Sequence, residues 1–497
     1  MNASQNVAPA VQEYLANVKA KVAEITDSNG QPTKIPNYDE LLKAAGKLDS
    51  VEDPVRFMNI IHSLLGRAGN VGSDTITFNK DKKPEYSLTF PADHHMHGDM
   101  GNEWYWIGCH LDVTDENGNA GKLSILDTMQ KIRSMGKSTQ TKNNWTDEQV
   151  SVCCNIATVT VKMDNGETNY YRRNPNEQWP LKGGTSSFSS PGEPFSFNVG
   201  KDSFTGSTNV LPLTLKVDDG DNMKIDITLT HNSKLDVETA FFRQGSPIDF
   251  GNGGTGITPL PTPGIYYSWP QVLVSGTVSV GGHTYTINSG TGWIDHQLMM
   301  TSVLDADGNP DPKLFAHTSK NYPLNGWVWQ YFNLENGHSF TGAGFIEGSI
   351  PSDNTVPMVY GYYLSPNKQK AWDAVFIMGD LILKDYQNFP SICSYPNSSP
   401  VSIPIKRGYS GLKSDFNKPL LEHPISGQAT PWYKNGSFNN PDQSLCTEFP
   451  ADFVSATPEH HPNGVGYLES VGFEKTDEYR SYALGVLKGL VLEEEGK

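Results

Sequence analysis

The stretch "MKIDITLTH" at residues 223–231 alternates between apolar and polar side chains. Ile225, Ile227 and Leu229 fall on one face of an extended chain, and the polar residues between them fall on the other. The stretch "ATVTVKM" at residues 157–163 has the same pattern. Such alternation is typical of half-buried antiparallel strands, and many of these strands in succession favour a barrel or a sandwich. The sequence therefore predicts a mainly β protein.

Two turn signals support antiparallel pairing. "GTVSVGGHTYTI" has Gly281-Gly282 between two alternating runs, and "WVWQYFNLENGHSF" has Asn336-Gly337 in the corresponding place. These dipeptides favour the tight turns of β-hairpins. The chain has no pattern of repeated strand–helix units, and no Walker or GxGxxG sequence lies between a strand and a helix. A doubly wound nucleotide-binding fold is therefore excluded.

The 497 residues are too many for one ordinary domain, and the 47 glycines and 33 prolines indicate frequent turns. We predict a helical N-terminal extension over residues 1–75, a first β domain over 76–305 and a second over 306–497. A Pro/Gly/Asp-rich connector at 301–326 marks the boundary between the two β domains. A long loop insertion is expected near 388–436, either as a plain surface excursion or as a lid over a barrel mouth.

The predicted N-terminal extension is based on helical spacing. Val11, Leu15, Val18, Val22 and Ile25 follow the four-and-three spacing of one apolar helix face. We expect this extension to dock on the β domains, with a regulatory or partner-binding role as the alternative.

The charge of the chain limits its partners. The formal net charge is −17 and the acidic residues are spread along the sequence, which disfavours binding to nucleic acid or to an anionic membrane surface. No run of 18 apolar residues is present, so no membrane span is expected. The N-terminal segment lacks the features of a signal peptide; a cytoplasmic location is favoured, and export after removal of a signal remains open.

The five cysteines are too few for a disulfide scaffold, and no CxxC pattern occurs. A structural zinc site built from thiolates is therefore not expected. The odd number and the vicinal pair Cys153-Cys154 favour reduced thiols, although one disulfide would still be compatible with the sequence.

Histidines and acidic residues are concentrated in "PADHHMHGDMGNEWYW" at residues 91–106. His94, His95 and His97 with the neighbouring acids could bind a divalent metal. They could instead satisfy loop amides and one another, or form the polar rim of an active site.

The end of this stretch, "EWYW", has a conflict between polarity and strand alternation. Glu103 and Tyr105 share one face of a strand, and Trp104 and Trp106 share the other. One face must therefore bury a carboxylate, unless that face lines a cavity or meets a partner.

A second acid and histidine lie together in "GTGWIDHQLM" at residues 290–299. On a strand Trp293 and Asp295 share one face and His296 lies on the other, but a strand end would let Asp295 and His296 converge. The pair could form an ordinary hydrogen bond. Alternatively, Asp295 could be a buried carboxylic acid with a raised pKa.

Several motifs, in this order, resemble those of the carotenoid 1,2-hydratase (hydroxyneurosporene synthase)-like family. "PADHHMHGDMGNEWYWIGCHL" is similar to the family opening "DHGxHP…EWWYxTGxL", and "YYSWPQVLVSGTVSVGGHTYTINSGTGWIDHQLM" to its "YYSxxR…G…GxxWxDHxW" segment. "NGWVWQYFNLENGHSF" resembles "GWxWFxxxLxDG", and "GVGYLESVGF" resembles the closing "GxGYxExxGY". The resemblance covers roughly residues 85–475.

The resemblance implies two consecutive lipocalin-like antiparallel β-barrels, with a ligand cavity involving the first barrel and the domain interface. Members include carotenoid hydratases, kievitone hydratases and fungal Diels–Alderases, which act on large apolar unsaturated molecules without a cofactor. The motif positions correspond in this chain to His94, His97, Glu103, Trp104, Tyr267, Trp293, Asp295, His296 and Trp327.

These observations give a hypothesis of hydration, or its reverse, at a carbon–carbon double bond of a large isoprenoid or polyketide-like molecule. Asp295, kept protonated by apolar surroundings, would donate a proton to the alkene. A tryptophan would face the developing cation. His296, with Glu103, would orient the water and accept its proton. The expected catalytic residues are Asp295, His296, Glu103 and His97, and the expected substrate-binding residues are Trp104, Trp293, Trp327, Tyr267 and His94.

Two other functions fit the same residues. A pericyclase or isomerase would fold a polyene and use the polar groups to polarise a carbonyl. A non-catalytic carrier would hold an apolar ligand. No metal and no cofactor is expected in any of these cases, and the oligomeric state is left open by the sequence.

Overall fold

The computed structural model of the protein describes residues 90–98, 102–133, 137–173, 176–178, 180–242, 264–299, 324–347, 355–388, 394–402, 405–410, 425–432 and 446–471. The helical extension expected over residues 1–75 lies outside these ranges. The boundary expected at residues 305 and 306 also lies outside them.

Within the described parts of the chain, thirteen strands form the first sheet. They are β1 Asn102–Asp115, β2 Ala120–Arg133, β3 Ser151–Met163, β4 Thr168–Arg172, β5 Asn176–Gln178, β6 Ser186–Phe188, β7 Ser196–Val199, β8 Asp202–Gly206, β9 Leu213–Asp218, β10 Met223–Thr230, β11 Phe241–Phe242, β12 Gly264–Val280 and β13 His283–Met299. The described helical segments are an α-helix, α1, at Lys137–Asn143 and two 3-10 turns at Ala92–His94 and Pro180–Lys182.

The first sheet is antiparallel, in the order β4-β3-β2-β1-β13-β12-β10-β9-β8-β7-β6, with β5 paired to β3 and β11 to β12. β1 therefore lies between β2 and β13, and β13 lies between β1 and β12. Alternate residues of these long strands point to one side of the sheet, where apolar side chains from β1 to β3, from β7 to β10 and from β12 and β13 form one continuous core. We call this side the interior of the first sheet.

The second sheet has nine strands in the described ranges after residue 323. They are β14 Leu324–Leu334, β15 Ser339–Glu347, β16 Thr355–Pro366, β17 Trp372–Asn388, β18 Ser394–Ser402, β19 Ile405–Ser410, β20 Gly427–Pro431, β21 Cys446–Ser455 and β22 Gly464–Val471. The order is β16-β15-β14-β22-β21-β20-β18-β17-β19, and β16 also pairs with β17. This last pairing closes eight of the strands into a ring, so the second sheet is a barrel.

The predicted fold class, mainly β with two consecutive antiparallel barrel-type sheets, is confirmed. The predicted hairpin turns are also present: Gly281 and Gly282 have φ values of 62° and 81°, and Gly337 has φ 83°. Positive φ at these positions is what tight hairpin turns require, and glycine adopts it without a steric penalty. Among the described residues, no helix is long and apolar enough to cross a membrane.

The segment expected as a loop insertion near 388–436 has a different structure in its described parts. It includes β18, β19 and β20, which pair with the second sheet. Its prolines and glycines indicated a loop, but backbone pairing with β17 and β21 orders these short strands. Tertiary pairing of this kind often overrides local composition.

The two sheets pack against each other through aromatic side chains. The cluster between them, called here the interface cluster, consists of Trp104, Trp106, Leu126, Phe241, Trp293, Trp329, Tyr331, Tyr362, Leu364 and Tyr467. Polar contacts fix its position: the Trp106 indole donates to Glu448 Oε1 at 2.8 Å, and the Tyr331 hydroxyl donates to the Gly108 carbonyl at 3.2 Å. The outer faces of β1 and β13 are therefore buried by the second sheet.

A substitution at Gly108 tests how closely the two sheets approach each other. A Cβ atom at this position would lie 2.6 Å from the Trp106 ring and 2.7 Å from the Tyr331 hydroxyl oxygen. Because both rings are buried, we expect Gly108→Ala to lower the free energy of unfolding by about 1–3 kcal/mol, measured by denaturant titration. Val454→Ala, at a side chain that is 53% exposed, is the control and should change it by less than about 0.5 kcal/mol. Equal stability of the two variants would contradict the packing described here.

Candidate active site

Asp295 and His296 do not converge, although they are adjacent in sequence. Strand β13 continues to Met299, so no strand end lies at this pair. His296 points into the interior of the first sheet with Ile294, and Asp295 points outward with Trp293 into the interface cluster. The sequence pair therefore belongs to two different sites, one on each face of the same strand.

The interior site is centred on Glu103 of β1, whose side chain is fully buried. Its Oε1 atom is 2.9 Å from His296 Nε2 and 2.9 Å from His97 Nδ1. Its Oε2 atom accepts the backbone N–H of His97 at 2.7 Å and is 3.2 Å from Lys131 Nζ. Lys131 is also fully buried, and its ammonium donates to the His97 carbonyl. Both carboxylate oxygens are thus paired.

Hydrogen bonds continue from His296 to a second histidine. His296 Nδ1 is 2.7 Å from the Tyr267 hydroxyl, which is 2.9 Å from His94 Nδ1. The Tyr105 hydroxyl is 2.8 Å from the same His94 nitrogen and donates to the His94 carbonyl. Glu103, His296, Tyr267 and His94 are therefore connected by direct hydrogen bonds. We call this set, with Tyr105, Lys131 and His97, the buried relay.

Strand register brings the relay together. Tyr105 of β1 is paired with His296 of β13, and His296 is paired with Tyr267 of β12, so the three side chains are cross-strand neighbours on one face. On the other side of β1, Glu103 is paired with Lys131 of β2. The 3-10 turn at Ala92–His94 then places the first histidine over these strands.

The ionisation of Glu103 depends on the charges around it. Burial by itself raises the pKa of this carboxyl. The Lys131 ammonium and the hydrogen bonds from His296 and His97 outweigh burial and hold the pKa of Glu103 well below its usual range. Glu103 is therefore a carboxylate at neutral pH.

The buried histidines and tyrosines of the relay, His94, His296, Tyr105 and Tyr267, are neutral. Burial lowers the pKa of His94 and of His296, and the hydrogen bond and charge of Glu103 offset this only in part for His296. Burial raises the pKa of Tyr105 and of Tyr267 above the usual range, so both remain phenols. A neutral imidazole has one donor nitrogen and one acceptor nitrogen, and the network decides which is which.

The proton positions follow from the carboxylate at one end. Because Glu103 can only accept, His296 Nε2 carries the proton and its Nδ1 is an acceptor. The Tyr267 hydroxyl then donates to His296, so its oxygen accepts from His94 Nδ1–H. This leaves His94 Nε2 unprotonated. His94 is 1% exposed, and no described residue gives its Nε2 atom a hydrogen-bond partner. The relay thus ends in a buried, unprotonated imidazole nitrogen that can accept a proton, although burial lowers its pKa and makes it a weaker base than an exposed histidine.

His97 connects the relay to the protein surface. Its side chain is 17% exposed, and its Nε2 atom is 3.2 Å from Asp93 Oδ1. Burial lowers the pKa of His97, but the hydrogen bonds and negative charges of Glu103 and Asp93 outweigh burial, and the net pKa is raised. A proton can therefore reside on His97 at the more exposed end of the network.

Asp295 occupies the second site, on the opposite face of β13. Its Oδ1 atom accepts the Ser268 hydroxyl at 2.5 Å and the Trp293 indole N–H at 2.6 Å. The Trp293 ring stacks on Tyr331 of the second sheet, with centroids 4.6 Å apart. Asp295 is 2% exposed. The site is a buried carboxyl group bordered by aromatic rings from both sheets.

The sequence matches the profile of the AttH-like family over residues 81–345, which is more than half of the chain. The chain belongs to the AttH-like family. The family resemblance predicted from the motifs is thereby confirmed. No curated protein matches the sequence significantly.

Solved structures similar to this AttH-like protein include an AttH protein from Nitrosomonas europaea. It is 16% identical, with a TM-score of 0.46, and the match covers 79% of this chain and 98% of that chain. Kievitone hydratase from Nectria haematococca is 12% identical, with a TM-score of 0.45 and coverage of 78% and 93%. CghA is 8% identical, with a TM-score of 0.31 and coverage of 76% and 90%.

The remaining predicted site residues of this AttH-like chain lie in several places. Trp104 is buried in the interface cluster. The side chain of Trp327 lies outside the described residues. His94, His95 and His97 each contact a different set of groups, since His95 Nδ1 is bound to the hydroxyl and carbonyl oxygens of Ser189. Among the described residues, no group of three His, Cys, Asp or Glu side chains is arranged to hold a metal ion.

Sequence reasoning missed Lys131 as a member of the relay. Alternation along β2 could have indicated it, because Ile125 and Met129 point into the interior and Lys131 continues the same spacing. A lysine on a buried apolar face requires an acidic partner. Glu103 is such a partner, because it is likewise a charged residue on a face of β1 that is otherwise apolar.

The pKa of His97 tests the surface end of the relay. Asp93→Asn removes one of the negative charges that raise it, so the pKa of His97 should fall in an NMR titration. A raised folded-state pKa stabilises the fold below the unfolded value of about 6.5, and that contribution is lost as pH rises through the folded pKa. The variant should therefore lose this stabilisation at a lower pH than the wild type. Asp226→Asn, at an exposed carboxylate, is the control, and an unchanged His97 titration in Asp93→Asn would contradict the contact.

Proposed function

We propose that the protein is a cofactor-independent hydratase or dehydratase that acts on a carbon–carbon double bond of a large apolar unsaturated molecule. The observation that carries this proposal is the basic His94 Nε2 atom, which ends a hydrogen-bonded chain from the Glu103 carboxylate. A base of this kind is what the addition or removal of water requires. The apolar side chains around the relay favour an apolar ligand.

In the dehydration direction, His94 Nε2 removes a proton from the carbon next to the one that bears the hydroxyl group. The electrons of the C–H bond form the double bond, and the C–O bond breaks. The His94 imidazolium then gives its proton to the departing hydroxyl group, and water leaves. Hydration is the reverse sequence, so a single imidazole balances the protons in both directions.

The relay stabilises the imidazolium that forms on His94. Protons can shift along the chain through Tyr267 and His296 toward Glu103, which spreads the positive charge toward the carboxylate. Lys131 and His97 hold Glu103 in position with short contacts to its two oxygens. The low dielectric constant of the interior strengthens these interactions.

The Asp295 site supports a second arrangement for the same reaction. A protonated Asp295 could deliver a proton to an alkene, and the face of Trp293 could stabilise the cation that results. The observation in favour is the burial of this carboxyl group among aromatic rings. Two hydrogen bonds already donated to its Oδ1 atom favour the carboxylate, which weakens this role. His94 is therefore the preferred proton-transfer group.

The pericyclase, isomerase and carrier functions require less from the relay. A pericyclase or a carrier needs the shape and polarity of a binding site but no net proton transfer. An isomerase could use His94 without adding water. These alternatives predict no incorporation of solvent oxygen into the ligand.

A hydration assay with relay variants tests the proposal. Isoprenoid and polyketide-like alkenes and allylic alcohols are incubated with the protein in oxygen-18 water, and the products are analysed by mass spectrometry. Asparagine at residue 94 can keep the hydrogen bond to Tyr267 while removing the basic nitrogen. We therefore expect His94→Asn to lower turnover on the order of 10²–10⁴-fold.

The controls separate the two arrangements. His283→Gln, at an exposed histidine, should leave turnover unchanged. Asp295→Asn should retain turnover within about tenfold if His94 carries the proton. Full turnover by His94→Asn together with loss of turnover in Asp295→Asn would mean that Asp295, in the interface cluster, transfers the proton. Recovery of unlabelled, unchanged ligand with every substrate class would contradict a hydratase function.

A further inference from the structure

Another polar atom for which no described residue supplies a hydrogen-bond partner lies in the interior of the first sheet. Asp127 of β2 is fully buried, and no described residue gives its Oδ1 atom a hydrogen-bond partner. Asp127 lies two residues after Ile125 and two before Met129 on β2, and both of these side chains point into the interior core. The Asp127 carboxyl group is therefore on the same face of the sheet as the relay.

Neighbouring groups satisfy only half of this carboxyl group. Asn155 Nδ2 donates to Asp127 Oδ2 at 2.8 Å, and the Asn155 amide oxygen accepts from Arg173 at 2.7 Å. Arg173 is in turn paired with Asp202. The arginine charge is thus used by Asp202, and an amide separates it from Asp127.

Asp202 is a buried carboxylate of the same sheet whose two oxygens accept several hydrogen bonds. Its oxygens accept from Arg173, from Asn176 and from the backbone N–H of Asp218, the last at 3.0 Å. Asp127, by comparison, has one hydrogen-bond donor among the residues that the structure describes. A buried polar atom without a partner is unfavourable, so a group outside the described side chains is expected to pair with Asp127 Oδ1.

The protonation state determines what that group must be. Burial raises the pKa of Asp127 to about 7; the Asn155 hydrogen bond and the Arg173 charge oppose this shift, and the Asp202 charge adds to it. The Cys109 thiol, on the facing strand β1, remains neutral because burial raises its pKa. Since Oδ2 accepts from Asn155, the proton of the neutral acid lies on Oδ1. Asp127 therefore offers an O–H donor to the interior.

We propose that Asp127 forms a polar subsite that binds a carbonyl or hydroxyl oxygen of the substrate, at a distance from the bond that reacts at His94. The inference rests on the proposed function in placing the substrate inside the first sheet. Asp127 is paired with Ile107, which is two residues, or about 7 Å, along β1 from Tyr105. The substrate class is then an apolar unsaturated molecule with a second oxygen function remote from the reacting bond.

Two matched probes test the subsite without any turnover. Geranylacetone is an unsaturated isoprenoid ketone, and its partner is the hydrocarbon in which a methylene group replaces the carbonyl. Dissociation constants are measured from the quenching of tryptophan fluorescence. The quantity compared is the ratio of the hydrocarbon dissociation constant to the ketone dissociation constant. Below pH 7 this ratio should be about tenfold larger for the wild type than for Asp127→Leu, which is the effect of one buried hydrogen bond.

The pH dependence makes the test specific to residue 127. Above pH 7 the Asp127 carboxyl ionises and no longer donates, so the ketone preference of the wild type should disappear. Asp127→Asn has an amide that donates at every pH, so its preference should persist across the same range. This comparison decides the question even if Asp127→Leu does not fold. Asp226→Asn, at an exposed carboxylate, should behave like the wild type.

Three results would overturn the subsite: the same ketone preference in the wild type and Asp127→Leu, a wild-type preference that does not change with pH, or no measurable binding of either probe. Each would mean that a buried water only, or no group, pairs with Asp127 Oδ1. Failure of the subsite is distinguishable from failure of the proposed function. If His94→Asn loses turnover but the wild type shows no ketone preference, the subsite alone is wrong. If the wild type prefers the ketone but shows no turnover, the hydratase function alone is wrong.

Discussion

The ion pair between Glu103 and Lys131 is the interaction on which the interior site depends. Both side chains are fully buried, and burying either charge alone would cost several kcal/mol. The pair keeps Glu103 ionised, and the ionised carboxylate orients His296. His296 in turn fixes the proton on Tyr267 and leaves His94 with a basic nitrogen. A charge that is unfavourable for folding is thus compensated locally, and it sets the protonation of His94, three hydrogen bonds away.

Strand register is the second requirement. Tyr105, His296 and Tyr267 meet because three neighbouring strands are aligned residue against residue. A shift of one residue in β13 would move His296 outward and bring Asp295 into the interior. The apolar residues that share the interior face with the relay prevent such a shift, because it would move them out of the interior core. The same packing that stabilises the sheet therefore positions the proton-transfer groups.

β1 and β13 serve both faces of the first sheet. Their inward residues form the relay, and their outward residues, including Trp106 and Trp293, form the contact with the second sheet. Burial raises the pKa of Glu448, the acceptor of the Trp106 indole, to about 7. The second barrel thus covers a surface that would otherwise expose several large aromatic rings to water. Its packing also fixes the strands that carry the relay.

The sequence by itself determined the β class and the hairpin turns, and it placed the Glu103 carboxylate on a strand face that had to be buried or line a cavity, because period-two alternation and turn dipeptides are local properties. Motif resemblance also predicted His94, His97, Tyr267 and His296 as site residues; their roles stay predictions, and the structure shows that hydrogen bonds through Glu103 connect them. Tertiary structure decided that Asp295 and His296 serve different faces, that Lys131 completes the site, and that Asp127 is left half paired. These facts depend on which strands are neighbours, and strand pairing joins residues more than a hundred positions apart in the chain.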